Sequence, residues 1–125
     1  MTPRQKALRI AKVALEGKAE DLTILDLRKL SSTFDFFVLC SVSSKRRSQA
    51  LADRIQETLG RSGAGKGHIE GYTDGGWVLL DYGDVIGHLF TPEQRDYYNL
   101  EHLWGDAPQI APPALGRKAR AKIAC

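Results

Sequence analysis

Residues 77–90 are the segment that restricts the possible folds of this chain most strongly. Two segments rich in branched, aromatic and aliphatic side chains flank a Tyr-Gly-Asp sequence at residues 82–84. Because Gly and Asp tolerate the left-handed backbone of a tight turn, this pattern predicts a β-hairpin. A hairpin of this length needs further strands and helices to cover it, so the rest of the domain must be built around it.

Both faces of the predicted hairpin are largely apolar. Along its first arm, Trp77, Leu79 and Asp81 point to one face and the alternate residues point to the other. The second arm, residues 85–90, is apolar on both faces as well. A hairpin with one face in water would alternate more cleanly between apolar and polar residues. We therefore expect one face to pack on the chain's own helices and the other to be covered by something else or to form a binding surface.

Length and composition are those of a globular protein with a single domain. The chain has 125 residues, and no apolar run in it approaches the roughly 20 residues that span a bilayer. Its first residues lack the hydrophobic region of a secretory signal. Cys40 and Cys125, the only cysteines, have neither disulfide nor metal-ligand spacing. This cysteine usage fits a reducing cytosol, so we expect a cytoplasmic protein without a membrane partner.

The positive charge of the chain is concentrated at its carboxyl end. Residues 107–125 carry four basic side chains and no acidic one. Without these four, fourteen Lys and Arg remain against fifteen Asp and Glu, so the body is about neutral. A neutral body argues against nucleic-acid binding that depends mainly on phosphate neutralisation by the body. The tail, however, leaves a contact with RNA open.

The order of helix and strand patterns predicts a single α/β domain with a mixed sheet of about five strands. Thr2 and Gln5 form a capping box before a helix that ends near Glu16, and Ser44 caps a second helix. Two helices should cover one sheet face, and the Ser44 helix allows one parallel crossover. We place the domain at residues 1–106 and a basic, Pro- and Ala-rich disordered tail at residues 107–125. The predicted strands are residues 22–27, 36–42, 68–72 and the two hairpin arms, and a third helix starts at Thr91 and Pro92.

Catalytic chemistry has one specific candidate. Asp26, Asp81 and Asp84 lie at predicted strand ends or turns, where converging carboxylates can hold Mg²⁺ for nucleotidyl transfer. Turn chemistry alone also predicts Asp at these positions, and we favour that simpler explanation. The connector at residues 60–67 resembles a phosphate-binding loop but has Gly67 where a Ser or Thr should bind magnesium. The scattered His residues and Cys40 give no nucleophile–base pair, so we expect no catalytic residue, metal or cofactor.

Large aromatic side chains are concentrated in the last third of the chain. Some of them must fill the core, but a chain this short has limited core volume. Trp and Tyr are also the residues that most often anchor protein interfaces. We therefore expect a few of these side chains to be available to a protein partner. The aromatic residues concentrated in this part of the chain are Trp77, Tyr82, Tyr97, Tyr98 and Trp104.

Several segments together resemble the ribosomal silencing factor family, also called Iojap-like. The resemblance covers roughly residues 5–108, and its two longest strings are the most specific. At Gly87 the chain departs from the branched apolar residue that is typical of the family. The matching segments are Ala19-Glu20-Asp21, Asp26-Leu27-Arg28, Phe36-Phe37-Val38, Cys40-Ser41, Trp77-Val78-Leu79-Leu80-Asp81-Tyr82-Gly83-Asp84-Val85 and Tyr98-Asn99-Leu100-Glu101-x-Leu103-Trp104-Gly105-Asp106-Ala107.

This resemblance implies an α/β fold with nucleotidyltransferase-like topology but without transferase activity. It implies binding to ribosomal protein number fourteen of the large subunit, on the face where the subunits join. The bound factor would block docking of the small subunit and repress translation in starvation or stationary phase. Family members in organelles act in large-subunit assembly. The alternative function that stays open is a magnesium-dependent nucleotidyltransferase using the three aspartates.

Carried onto this chain, the resemblance implies a partner-binding surface on and beside the hairpin. Basic ribosomal proteins would meet its carboxylates. Two further contacts stay open, a homodimer away from the ribosome and a contact between the basic tail and ribosomal RNA. The implied partner-binding residues are Trp77, Leu79, Asp81, Tyr82, Asp84, Tyr98, Asn99 and Trp104.

Overall fold

The computed structural model describes residues 1–98, 105 and 107–113 of the chain. These residues form one α/β domain, as predicted. None of the helices in this part of the chain is long and apolar enough to cross a bilayer. The elements in chain order are α1 (Pro3–Glu16), β1 (Glu20–Asp26), β2 (Phe36–Ser41), α2 (Lys45–Arg61), β3 (His68–Glu70), β4 (Trp77–Asp81), β5 (Val85–Phe90), α3 (Pro92–Tyr98) and β6 (Gln109–Ile110).

Side-chain caps start the two long helices where the sequence predicts them. The Thr2 hydroxyl accepts from the Gln5 backbone N–H at 3.1 Å, and the Gln5 side chain accepts from the Thr2 N–H at 2.9 Å. Ser44 caps α2 by accepting from the Arg47 N–H at 3.2 Å. Each cap satisfies backbone donors that the first helical turn leaves without an intrahelical partner.

The sheet is mixed and has the strand order β3-β4-β5-β2-β1-β6. Its one parallel pair joins β2 to β5, with Phe36 opposite Val85 and Ser41 opposite Phe90. The other neighbouring strands are antiparallel. The predicted parallel crossover after the second strand is therefore confirmed. The chain leaves β2, passes through α2, β3 and β4, and comes back as β5 beside β2.

The predicted hairpin is confirmed at β4 and β5. Asp81 lies opposite Ile86, and the Tyr82 N–H donates to the Val85 carbonyl at 2.9 Å across the turn. Gly83 adopts φ +88°, a conformation that glycine reaches without a steric cost. The turn residues thus set the register that places alternate side chains of both arms on common faces.

The sheet has six strands rather than about five because part of the predicted tail joins it. Gln109 and Ile110 pair with Leu25 and Ile24 of β1, and the Asp26 N–H donates to the Pro108 carbonyl at 2.8 Å. Proline-rich composition suggested disorder from residue 107, but the free edge of β1 offers backbone groups that this segment satisfies. Residues 114–125 lie outside the described residues.

One hydrophobic cluster lies between the sheet and the first two helices. α1 and α2 contact the central strands β2 and β5 and their neighbours. Each strand contributes its inward side chains to this cluster, which we call the helix-side core. Two helices therefore cover one sheet face, as predicted. Its fully buried members include Ile10, Ile55, Phe36, Val38, Leu80 and Leu89.

A second hydrophobic cluster occupies the opposite face of the sheet. α3 lies against β5 on this side, and its Arg95 guanidinium donates to the Ser41 hydroxyl at 3.1 Å and the Thr23 hydroxyl at 3.4 Å. Because both faces of the central strands are covered, all residues of β2 and β5 are buried. The members of this second cluster include Leu25, Leu27, Phe37, Leu39, Ile86, Phe90 and Ala107.

His88 is a polar residue buried within this second face. Its side chain is 3% exposed and lies against the rings of Phe37 and Phe90, with centroid distances of 4.7 and 5.9 Å. Its Nδ1 accepts a hydrogen bond from the Trp77 indole N–H at 3.2 Å. Burial disfavours the charged imidazolium and lowers the pKa of His88 to about 4. The ring is therefore neutral at physiological pH, with Nδ1 free to accept.

Gly87 gives a test of the packing between β5 and α1. An added Cβ would lie 3.5 Å from the Leu80 Cβ and 3.6 Å from the Ile10 Cγ2, which are ordinary contacts. We expect Gly87→Ala to raise the free energy of unfolding by about 0.5–1 kcal/mol, because it reduces the entropy of the unfolded chain. Gly71→Ala is the matched control. There φ is +76° and the new Cβ would lie 2.1 Å from the Trp77 carbonyl, so this variant should be destabilised in urea unfolding. A loss of stability in Gly87→Ala would contradict the described packing.

Because His88 is buried in its neutral form, we expect the protein to lose stability in mild acid. Its folded-state pKa of about 4 is below the ordinary value of 6.5, so the unfolded chain binds the proton more readily. The stability contributed by neutral His88 is therefore present above pH 6.5 and is lost as the pH falls to about 4, on the order of 3 kcal/mol.

Urea unfolding of His88→Gln should show a flatter profile across this pH range than the parent protein. His68→Gln is the control for the substitution itself, because His68 is exposed on β3 at a sheet edge. Equal slopes for the parent and His88→Gln would show that His88 is not buried as described.

Candidate partner-binding surface

At β4 the second sheet face carries large side chains that are only partly buried. Trp77 and Leu79 are only partly buried, and Asp81 follows them on the same face of the strand. The neighbouring edge strand places exposed His68 opposite Asp81 and exposed Glu70 opposite Leu79. We call these five residues the β4 surface. It combines an apolar centre with two carboxylates, and so it is suited to an apolar partner with basic groups.

The Trp77 side chain is held in place by the residues beneath it. Its ring stacks on Phe90 with a centroid distance of 5.1 Å and an interplanar angle of 27°. Its indole N–H donates to His88 Nδ1 at 3.2 Å. The only polar atom of this large side chain thus has a partner, and the ring is fixed before any other molecule arrives. A fixed aromatic anchor loses little conformational entropy when it binds.

Phe34 enlarges this apolar region and was missed by the sequence reasoning. It lies in the loop between β1 and β2, is partly buried, and its ring centroid lies 5.3 Å from that of Phe37. Leu30 of the same loop is 46% exposed. The sequence contains one signal for Phe34: it directly follows three consecutive hydroxyl-bearing residues. A large aromatic side chain in such a polar loop indicates that the loop packs against an apolar surface.

Tyr82 lies on the opposite sheet face from Trp77 and Leu79. It is 9% exposed, belongs to the helix-side core, and its hydroxyl donates to the Gln56 side-chain oxygen of α2. A Cβ at Gly67 would lie 2.8 Å from its ring, so the connector before β3 packs directly on Tyr82. Burial raises the pKa of Tyr82 to about 12. Tyr82 therefore fastens the hairpin to α2, and the structure does not bring it together with the β4 surface.

The two hairpin carboxylates have different surroundings. Asp81 accepts from the Gly83 N–H at 2.7 Å, which shapes the turn and leaves its charge without a cation partner among the described residues. Asp84 pairs with Lys6 of α1 at 3.0 Å in a partly buried contact. Asp84 therefore links the turn to α1, whereas Asp81 presents its charge beside Leu79. Asn99 and Trp104 lie outside the described residues, as does the side chain of Tyr98.

The three strand-end aspartates have separate partners rather than a common centre. Asp26 accepts two hydrogen bonds from the Arg28 guanidinium, at 2.9 and 2.7 Å. This interaction holds the pKa of Asp26 below its usual value. Within residues 1–98, 105 and 107–113, no group of three or more His, Cys, Asp or Glu side chains could hold a metal ion. The three aspartates therefore do not form the common magnesium site on which the nucleotidyltransferase alternative depends.

Comparison with known proteins identifies relatives in bacteria and among plant chloroplast proteins. A family model described as "Ribosomal silencing factor during starvation" matches residues 1–124. The chain is 41% identical over 106 residues to ribosomal silencing factor RsfS of Bacillus subtilis, which covers 84% of this chain and 90% of that protein. It is 37% identical over 107 residues to the chloroplast protein Iojap of Arabidopsis thaliana, covering 86% of this chain and 44% of that longer protein.

Solved structures agree with the sequence relationship. A crystal structure of a Chromobacterium violaceum protein superposes with a TM-score of 0.81 at 34% identity, covering 93% of this chain and 95% of that one. A crystal structure of a Bacillus halodurans protein superposes with a TM-score of 0.72 at 36% identity, covering 85% and 97%. The family match over nearly the whole sequence and the identity to its curated members show that the chain belongs to the ribosomal silencing factor family.

Proposed function

We propose that this protein represses translation by binding the large ribosomal subunit and blocking its joining to the small subunit. The protein partner is ribosomal protein number fourteen, and repression operates in starvation or stationary phase. Membership of the ribosomal silencing factor family supports a regulatory role on the ribosome rather than a catalytic one. The proposed mechanism is steric, so it needs a contact surface and no cofactor.

The observation that carries this proposal is the fixed, partly exposed Trp77 on the β4 surface. An indole stacked on Phe90 and bonded to His88 is poised to fill an apolar pocket on a partner. Trp residues in such positions often dominate the energy of an interface. Leu79 adjoins it, so the apolar centre is contiguous rather than a single exposed side chain.

Charge supports a basic partner at the same place. Asp81 and Glu70 border Leu79 on β4 and β3. Asp81 has no cation partner among the described residues, and Glu70 contacts the His68 ring nitrogen at 3.2 Å. Ribosomal proteins are rich in Lys and Arg because they bind RNA, so these carboxylates would meet cations. Complementary charges at the rim of an interface mainly increase the association rate and disfavour binding of partners with the wrong charge.

The predicted site residues take different roles in this proposal. Trp77, Leu79 and Asp81 contact the partner directly. Tyr82 and Asp84 support the surface without contacting the partner. Tyr82 bonds the hairpin to α2, and Asp84 pairs the turn with Lys6 of α1. Tyr98, Asn99 and Trp104 remain proposed contacts on the strength of the sequence resemblance alone.

Three further features belong to the proposal. The protein acts in the cytoplasm, where the two ribosomal subunits join. Away from the ribosome, the apolar part of the β4 surface can pair with a second copy of the chain. The basic tail touches ribosomal RNA, since it carries four cations and no carboxylate.

Co-sedimentation with purified large subunits tests the proposed surface. The parent protein should sediment with free large subunits and lower the fraction that joins added small subunits. Trp77→Ala should lose both effects, with binding weakened about thirtyfold to a thousandfold, because truncating a central aromatic anchor costs about 2–4 kcal/mol. Leu79→Glu should act in the same direction without removing the indole from its position.

Controls separate loss of the surface from loss of the fold. Tyr72→Ala removes an aromatic residue that is 37% exposed and bonded to Asp53 of α2, away from the β4 surface. Asp26→Asn removes one of the carboxylates on which the enzyme alternative depends. Both variants should sediment with large subunits like the parent. A parent protein that stays at the top of the gradient with large subunits in excess would refute the proposal.

Asp81→Asn isolates the electrostatic part of the contact. The Asn side-chain oxygen can still accept from the Gly83 N–H, so the turn should keep its geometry while the charge disappears. We expect large-subunit binding to weaken about threefold to tenfold at low salt, mainly through slower association. At about 0.5 M salt the difference from the parent should nearly vanish, because screening removes the contribution of a rim charge. A difference that persists at high salt would point to a structural effect instead.

A further inference from the structure

His88 lies beneath the β4 surface and is buried among aromatic rings. It is directly opposite Leu79 in the β4–β5 hairpin, and its side chain is 3% exposed. The rings of Phe37, Trp77 and Phe90 lie against its imidazole, with centroid distances of 4.7, 6.0 and 5.9 Å. An apolar side chain would fill such a site without the desolvation cost of a polar group. A histidine at this position therefore requires an explanation.

One ring nitrogen of His88 has a hydrogen-bond partner and the other has none. Nδ1 accepts from the Trp77 indole N–H at 3.2 Å. A neutral imidazole carries one proton, and because Nδ1 is the acceptor, this proton is on Nε2. Nε2 is buried and has no hydrogen-bond partner in the part of the chain that the structure describes. Its N–H has therefore lost water on folding without gaining an acceptor, which lowers the stability of the fold.

The unsatisfied N–H separates what His88 does for the fold from what it does for Trp77. For the fold, an apolar residue would avoid both the buried N–H and a group whose pKa burial lowers to about 4. For Trp77, an apolar residue offers no acceptor to the indole N–H. Holding the indole is therefore the role that requires a nitrogen at this position.

We propose that His88 is a positioning residue for partner binding, which holds the Trp77 indole in the orientation that the partner contacts. This inference rests on the proposed function, because it assigns His88 a role in the same contact. His88 itself does not touch the partner. It acts by pre-organisation, since a side chain that already has its bound orientation loses less conformational entropy on association.

The hydrogen bond supplies a constraint that ring stacking does not. The Trp77 and Phe90 rings stack with an interplanar angle of 27°, which sets the plane of the indole. A stacked ring can still slide or turn within that plane, because aromatic pairs accept a range of offsets. The hydrogen bond joins one edge atom of the indole to one atom of His88 and favours a narrow range of angles. Together the two contacts select a single orientation of the Trp77 ring.

The near-isosteric variants His88→Asn and His88→Leu separate positioning from folding. Both remove the imidazole with its ring contacts, and both side chains branch at Cγ. Asn places an oxygen at the δ position, where it can accept from the Trp77 N–H, whereas Leu offers no acceptor. Because Leu buries no polar group, His88→Leu should unfold at a higher urea concentration than His88→Asn.

The order of the two variants should be reversed in co-sedimentation with purified large subunits. There His88→Asn should bind at least about threefold more tightly than His88→Leu, because a hydrogen bond contributes about 1 kcal/mol. A residue with a purely structural role would place the two variants in the same order in both measurements. Equal binding by the two variants, or tighter binding by His88→Leu, would overturn the proposal.

NMR of the protein without ribosomes reports on the hydrogen bond directly. The ¹⁵N shifts of His88 in the parent should show a proton on Nε2 and an acceptor at Nδ1. The Trp77 indole N–H, identified by its loss in Trp77→Phe, should exchange with water at least about threefold faster in His88→Leu than in His88→Asn. A proton on Nδ1 in the parent would contradict the proposal, and this measurement stands even if a variant does not fold.

A core variant controls for loss of stability alone. Ile55 is fully buried in the helix-side core, on the sheet face opposite Trp77. Ile55→Val should lower the urea midpoint but bind large subunits within about twofold of the parent, because distant sites act independently. A loss of binding that merely followed the urea midpoint across all variants would refute a positioning role.

Failure of this inference differs from failure of the proposed function. If the parent binds large subunits while His88→Asn and His88→Leu bind equally, the positioning role is wrong and the proposed function stands. If the parent does not sediment with large subunits, the proposed function is wrong. The role of His88 in partner binding then fails with it, even where NMR shows the hydrogen bond to Trp77.

Discussion

The parallel pairing of β2 with β5 forms the buried centre of the sheet. Every residue of both strands is buried, so they need cover on two faces. α1 and α2 supply it on one side, and α3 with Ala107 supplies it on the other. The remaining strands extend the sheet outwards from this pair. On this second face, Trp77 and Leu79 of β4 are only partly buried.

The central pair also shapes the surface beside it. His88 and Phe90 belong to β5, yet they are the residues that hold the Trp77 ring. A neutral His88 is required for this, because only the uncharged ring can accept the indole hydrogen bond at Nδ1. Burial ensures that neutrality by lowering the pKa to about 4. Core packing and the geometry of the proposed contact surface are thus the same set of interactions.

The hairpin, the capped helices and the α/β class follow from the sequence alone, because turn residues, caps and periodicity are local signals. It also marked Trp77 and Leu79 as candidates, but it could not say that Tyr82 faces α2 or that Asp84 pairs with Lys6. Those outcomes depend on strand register and on contacts between residues far apart in the chain. The same holds for Gln109 and Ile110, whose composition suggests disorder. They form a strand because the free edge of β1, a tertiary neighbour, supplies backbone hydrogen bonds that no local pattern encodes.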